Sequence, residues 1–375
     1  MTQTAFSPRL EALRGIAALM VAYSHSLGAI AIQHSDSAAI KSWLNVLGNG
    51  CAGVTLFFVL SGHVLNLSLS RDSSPLFASF TSFLTRRVLR IWPTMLVCLA
   101  ACAIWLIAVH HPVRYPAASV EYHSYWQNGA SLEVYLHDAF FLTYYLNPVT
   151  WTLQVEMIAA LLFVPMWRAT RRSFVLAALL LVGWTVFFLA TPLYGFARSG
   201  FVFMFLLGMH AGSFSQWLSK RLNGQQIRWG VIAAFAALCV SNHLIPETHA
   251  AGWVVSSIAA FAVISLLSAS EGRTSIPLLD TRLSHFLGRI SYSFYLWHFP
   301  VLYILGTLGF ATLDPALCQR WPNLLDNLLF AISVLVTIPL AWLSHRALER
   351  PCITFANTLT RKPSVNPTHY AHHSG

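Results

Sequence analysis

Ten apolar runs follow one another along this chain, at about residues 13–33, 50–69, 93–110, 150–167, 173–191, 199–216, 228–245, 251–269, 289–310 and 327–345. Each is near the ~20 residues an α-helix needs to cross the hydrocarbon of a bilayer. Backbone groups in lipid must be satisfied within the protein, so only helices or closed barrels can span it. A tilted barrel strand uses only about 9–11 residues, so runs of this length predict helices. The expected fold is therefore all-α: a polytopic membrane bundle of about ten transmembrane helices. The composition agrees, with 56% apolar residues and 10% charged, where soluble domains carry about 25% charged.

The connectors predict an orientation. With residues 1–12 in the cytoplasm, nineteen of the 23 lysines and arginines fall on the cytoplasmic side, and only Lys41, Arg114, Arg198 and Arg320 fall opposite. Under the positive-inside rule both termini are then cytoplasmic. The net charge of +10 is accounted for by topology, and no nucleic-acid partner is expected. The first run follows Arg9 and Arg14 and ends near "AIA", which resembles a signal peptide. The later helices balance only if it is retained, so cleavage is not expected. Six cysteines show no metal-ligand spacing and read as free thiols, and no metal site is expected. A long outer connector, about 111–149, is rich in tyrosine, and the final "KPSVNPTHYAHHSG" reads as a disordered tail.

Ionisable residues inside apolar runs are costly and mark function or a specific partner. In "LEALRGIAALMVAYSHS", Arg14 and His25 are eleven residues apart, three turns of helix, and so share one stripe of the first span. Arg14 is either a snorkelling anchor or a functional cation, and His25 either a bonded interhelical histidine or a base. In "NPVTWTLQVEMIAALLF", Glu156 lies ~9 Å inside the outer end of the fourth span, against ~14 Å for His25. Either the two meet, with the carboxylate fixing the imidazole tautomer and raising its basicity, or Glu156 faces a water-filled vestibule without a partner. In "RRVLRIWP", Arg86 and Arg90 are four apart and Arg87 and Arg90 three apart on one helix. Such a cluster suits a phosphorylated cytosolic ligand or lipid headgroups. In "GRISYSFYLWHFP", Ser291, Tyr295 and His298 share a face before Pro300. Phosphate-binding arginines at the inner end and a His/Glu pair further out suggest group transfer across the membrane.

Taken together, "LEALRGIAALMVAYSH", "GVTLFFVLSGHVL", "RRVLRIWP", "WTLQVE", "LGRISYSFYLWHFP" and "ALERP" resemble, in this order, the acyltransferase 3 family of membrane O-acyltransferases. The resemblance implies a ten-helix domain over residues 1–350 and a cytoplasmic tail over 351–375. It implies a multi-pass protein of the plasma (bacterial inner) membrane. The activity implied is transfer of an acyl group, commonly acetyl, from cytosolic acyl-CoA to a hydroxyl of an extracytoplasmic glycan or lipid-linked saccharide. Acyl-CoA is then a donor substrate, and no cofactor is held permanently. His25 is assigned to catalysis with Glu156 in support, and Arg14, Arg86 and Arg90 to the CoA end. His63 departs from the aromatic or apolar residue common at "LSGHVL" and takes no role from the family; it is a neutral variant or an acceptor contact. No stretch accommodates the hydrolase-like domain some members append, so direct transfer or hand-over to another protein is expected. His25 as general base and an acyl-histidine intermediate stay open as routes. Tyr125 and Trp126, far from any span, are candidate acceptor contacts through their flat amphipathic rings. The reading from another class is a transporter or flippase for a lipid-linked sugar or small molecule, because buried His and Glu also serve proton relays.

Overall fold

The computed structural model describes residues 7–33, 35–70, 76–109, 113–191, 195–245 and 249–360. Sixteen α-helices form among them. They begin with α1 (Pro8–Leu27), α2 (Ser35–Leu47), α3 (Gly50–Leu69), α4 (Leu76–Ala108), α5 (Val120–Ser124) and α6 (Leu132–Ala139). The middle of the chain forms α7 (Trp151–Arg172), α8 (Phe174–Ala190), α9 (Val202–Met209), α10 (Ala211–Ser219) and α11 (Gly224–Leu244). The last are α12 (Ala250–Ser270), α13 (Arg282–Thr312), α14 (Pro315–Arg320), α15 (Pro322–Ser344) and α16 (Arg350–Leu359). Among the described residues the only β-pairing is an isolated antiparallel bridge between Ile30 and Ala118.

Each of the ten apolar runs coincides with helix, so the helical membrane bundle is as expected. Seven helical stretches are long and apolar enough to cross a bilayer. The runs that fall short are α1, which carries Arg9, Glu11 and Arg14, the shorter α8, and α11 with its polar ends. Local signals set the boundaries. Ser7 caps α1 with Pro8 at its first position, Asn49 caps α3, Thr281 caps α13, and Asn223 with Gln226 forms a capping box on α11. Within the expected tail segment 351–375, residues through Leu359 continue as helix α16; "KPSVNPTHYAHHSG" lies outside the described residues. Between α15 and α16 a widened π turn at His345–Glu349 turns Glu349 inward. There its carboxylate accepts from Ser293 Oγ and pairs with His345 Nδ1, both at 2.9 Å.

Lipid tails are as apolar as leucine, so membrane helices associate by close packing, and small residues let them approach. At the centre α1 lies against α13, α3 and α15. A Cβ on Gly288 would stand 2.3 Å from the Glu11 carbonyl oxygen, and one on Gly15 would stand 2.8 Å from the Gly288 nitrogen. These two glycines set the distance between α1 and α13. Gly288→Ala is expected to push the helices apart and to cost about 1–3 kcal/mol through overpacking. Gly309→Ala on the same helix meets open space, and is expected to be neutral or slightly stabilising. Thermal inactivation of the two detergent-solubilised variants checks the contrast; equal midpoints would mean the α1–α13 contact is not tight.

The outer connector is a folded lobe. Tyr122 stacks on Tyr303 with centroids 4.4 Å apart and donates to the Tyr303 carbonyl at 2.7 Å, which fastens α5 to α13. Asp138 is buried and accepts the N–H groups of Tyr145 (3.0 Å) and Leu146 (2.6 Å). Burial pushes its carboxyl above the usual range, against these hydrogen bonds. No disulfide joins the six cysteines.

Candidate active site

Three elements converge at the arginine-rich end of the bundle. Arg86, Arg87 and Arg90 project from α4, Arg14 from α1, and Ser61 and Ser68 from α3, around a cavity of about 180 Å³. α16 closes it with Ile353, Ala356 and Asn357, and Arg86 Nη1 donates to Thr360 Oγ1 at 3.2 Å just beyond. Arg14 sits six residues into α1, ~9 Å from its start, which is deeper than a snorkelling anchor requires. Among the described residues neither Arg14 nor Arg90 has a hydrogen-bonded partner. Two carboxylates act on Arg14, Glu156 and Glu349, and Glu156 stands 3.2 Å from Arg87 Nη2 and accepts from Ser61 Oγ at 3.0 Å. Four guanidiniums against these two carboxylates, one of them already engaged by Ser293 and His345, leave a surplus of positive charge, the chemistry of an anion site.

Glu156 does not meet His25, contrary to expectation. Its partners are Arg87 and Ser61, while His25 makes ring contacts only, with His298 (centroids 5.6 Å apart) and Phe299 (5.3 Å). The reason is where α1 stops. The sequence stays apolar to about residue 33, but the helix ends at Leu27, and the chain then turns to bridge Ile30 with Ala118. His25 is thereby two residues from the end of its helix, ~3 Å, and Glu156 five residues into α7, ~7.5 Å, so the depths are reversed. Glu156 instead sits level with the arginines, where the Coulomb attraction of several guanidiniums exceeds that of one imidazole.

A line of polar groups still joins the two ends. A gap of about 30 Å³, enough for one water, is lined by Arg14, Glu156, Thr152, Tyr292 and Tyr295. The Tyr295 hydroxyl lies 3.0 Å from Thr152 Oγ1, and its ring is 5.5 Å from that of His298. His298 Nδ1 is 2.7 Å from the Tyr295 carbonyl oxygen, which can only accept, so Nδ1 carries the proton in the neutral ring. His298 Nε2 is buried without a hydrogen-bond partner and belongs to the ring next to His25. Arg14, Glu156, Tyr295, His298 and His25 thus form one path through the bundle, and Arg86 and Arg90 stand at its mouth.

The other candidates lie elsewhere. Ser291 is buried on α13 and lines neither cavity. His63 points away from the path, with Nε2 3.4 Å from Ser268 Oγ on α12 and its ring against Gly212. Trp126 is 1% exposed, donates Nε1–H to the Leu146 carbonyl at 3.0 Å and packs 4.6 Å from Tyr303. It is a core residue of the lobe, so its face is not offered to an acceptor, contrary to expectation. Tyr125 is half-buried, 4.9 Å from Phe299, which puts it one ring away from His25. Ser61 and Thr152 were not singled out from the sequence, and Arg87 was read only as one of the arginine cluster, not as the partner of Glu156. The helical face of "RRVLR" does not tell which arginine meets the carboxylate, and the two hydroxyl residues carry no spacing signal.

The chain matches the profile of a family described as an acyltransferase domain over residues 7–346. It belongs to that family. The match makes it an enzyme that transfers acyl groups, built on a multi-pass membrane bundle. It is similar to "Nodulation protein 10" of Rhizobium leguminosarum bv. viciae, 24% identical across 94% of this chain and 95% of that protein. It is also similar to "Putative acetyltransferase ORF330" of Acidianus two-tailed virus, 26% identical across 82% of this chain and 87% of that one. A third relative is "Putative peptidoglycan O-acetyltransferase YrhL" of Bacillus subtilis (strain 168), 24% identical across 93% of this chain and 55% of that protein. No solved structure matches the chain.

Proposed function

We propose that this acyltransferase takes an acyl group, commonly acetyl, from cytosolic acyl-CoA and delivers it to a hydroxyl of a glycan across the bacterial inner membrane. The observation that carries the reading is the arginine cavity, which opens at one end of the path that leads to His25. Arg14, Arg86 and Arg90 suit the phosphates of CoA, and the narrower gap beyond them suits its pantetheine arm. At about 180 Å³ the cavity is smaller than the roughly 300–1,000 Å³ that encloses a drug-sized ligand. α16 would therefore move aside to admit the nucleotide. In the reaction the acceptor oxygen attacks the thioester carbonyl carbon as its proton passes to His25, the C–S bond breaks, and the proton goes on to the CoA thiolate. The open carbonyls of the last turn of α1 favour the positive charge that develops on the ring. An acetyl acceptor on a glycan agrees with what the name of the Bacillus relative states for that protein.

Arg90→Ala is expected to raise the KM for acetyl-CoA about tenfold or more, since a charge-assisted bond to phosphate is worth roughly 1.5–3 kcal/mol. With acetyl-pantetheine, which lacks the nucleotide phosphates, the same substitution should change little. Equal losses with both donors would assign the arginine to topology.

A further inference from the structure

A second, larger cavity of about 730 Å³ opens at the opposite end of the bundle, beside the end of α1. Its wall is one face of α2: Ala38, Lys41, Ser42 and Asn45 recur at the helical spacing. The other face of α2 carries Ile40, Trp43 and Leu47, exposed by 53%, 71% and 67%. Such an arrangement suits a helix lying at a membrane surface with its polar side turned to the cavity. Ser24, Gly28, Ser119, Glu121 and His243 complete the lining. Ser24 is the neighbour of His25 in α1, so the two lie within ~1.5 Å of the same depth along the helix axis.

The lining chemistry limits the ligand. Lys41 Nζ donates to the Ile30 carbonyl at 3.2 Å and lies 3.4 Å from Asp326 Oδ2, so its charge is already compensated. Ser24, Ser42 and Asn45 have no hydrogen-bonded partner among the described residues and offer donors and acceptors to a guest. At the rim the lining residue His243 is backed by Trp43, ring centroids 5.8 Å apart, and offers a flat ring with a hydrogen-bonding edge. Hydroxyl- and amide-bonding groups, a compensated lysine, the Glu121 carboxylate, which accepts from hydroxyls and disfavours an anionic guest, and an aromatic rim suit an uncharged polyhydroxylated ring. The volume lies within the roughly 300–1,000 Å³ range of ligand sites.

We infer that this cavity is the acceptor site, where an uncharged saccharide is held by Ser42 and Asn45 against the Trp43–His243 rim with a hydroxyl presented over the end of α1 to His25. The inference rests on the acyl-transfer reading above. It moves acceptor recognition from the Tyr125–Trp126 segment to α2 and α11.

The test introduces Asn45→Cys, or Ser42→Cys three residues before it on the same face, into a Cys51→Ser background. Membranes are treated with a bulky impermeant maleimide, and [¹⁴C]acetyl transfer from acetyl-CoA to the membranes' own glycan fraction is measured alongside CoA binding. Leu132→Cys, on the exposed face of α6, is the control. The expected result is at least a tenfold loss of transfer for the labelled α2 variants, with unchanged CoA binding and a labelled control that still transfers. Undiminished transfer by the fully labelled α2 variants would overturn the acceptor site and leave the acyl-transfer reading standing. No transfer by the untreated protein would remove both.

Discussion

His25→Ala is expected to lower the rate of acyl transfer about 10³-fold while the protein stays folded and inserted and binds acyl-CoA with unchanged affinity. General base catalysis contributes typically 10²–10⁴, and His25 is the titratable group nearest the outer end of the path. Its ring is half-buried, makes no hydrogen bond among the described residues, and packs against the rings of His298 and Phe299, so its removal breaks no polar network among them. The loss should fall on kcat, because the donor phosphates would be held three helical turns away. Incubation of the wild type with labelled acetyl-CoA and no acceptor separates the two routes left open by the sequence. Label retained on the denatured wild type and absent from His25→Ala would indicate an acyl-histidine; no retained label would indicate a base. Wild-type turnover by His25→Ala would refute the catalytic assignment.

Glu156→Gln should act on the stability of the arginine end. Its carboxylate is the counter-charge of Arg87 and faces Arg14 and Arg90 as well. Removing one partner of a buried ion pair typically costs about 3–5 kcal/mol, because the other charge is left uncompensated. A fall of that order is expected in the unfolding free energy of the solubilised protein. Replacing both partners by apolar groups of similar volume is often close to neutral. Glu156→Leu with Arg87→Met should therefore recover much of the loss, though Arg14 keeps part of it. The pH profile of the rate should keep its midpoint in Glu156→Gln, since no hydrogen bond joins Glu156 to His25. A midpoint that moved with full stability would restore the direct Glu156–His25 pairing that the geometry argues against.

Periodicity and length were enough to find the helices, because a bilayer imposes one solution on each apolar run. Side chains that must be partnered inside such runs were legible for the same reason, and Arg14, His25, Glu156 and His298 all fall on the path. What the sequence did not reveal is where a helix stops when the next residues are also apolar. Gly28, which caps α1, is a stop signal outweighed by the apolar residues that follow it in "GAIAIQ", and that one boundary exchanged the depths of His25 and Glu156. The aromatic segment was legible as a long connector but not as a folded core: Trp126 is far from any span in sequence, yet it packs against Tyr303 of α13, where Tyr122 and Tyr303 bind the connector down. The amphipathic α2 was missed because its polar face is defined by Lys41, Ser42 and Asn45, which read as a connector beside the longer apolar runs.

The most direct test of the central claim uses sealed vesicles whose arginine-rich face is turned to the medium. Labelled acetyl-CoA is added outside, and acetylated glycan is measured in the lumen after washing. The account predicts label on luminal glycan with wild type, stoichiometric release of CoA to the medium, and neither with His25→Ala. Intact substrate crossing the membrane without acylation, or luminal acetylation that survives His25→Ala, would contradict it.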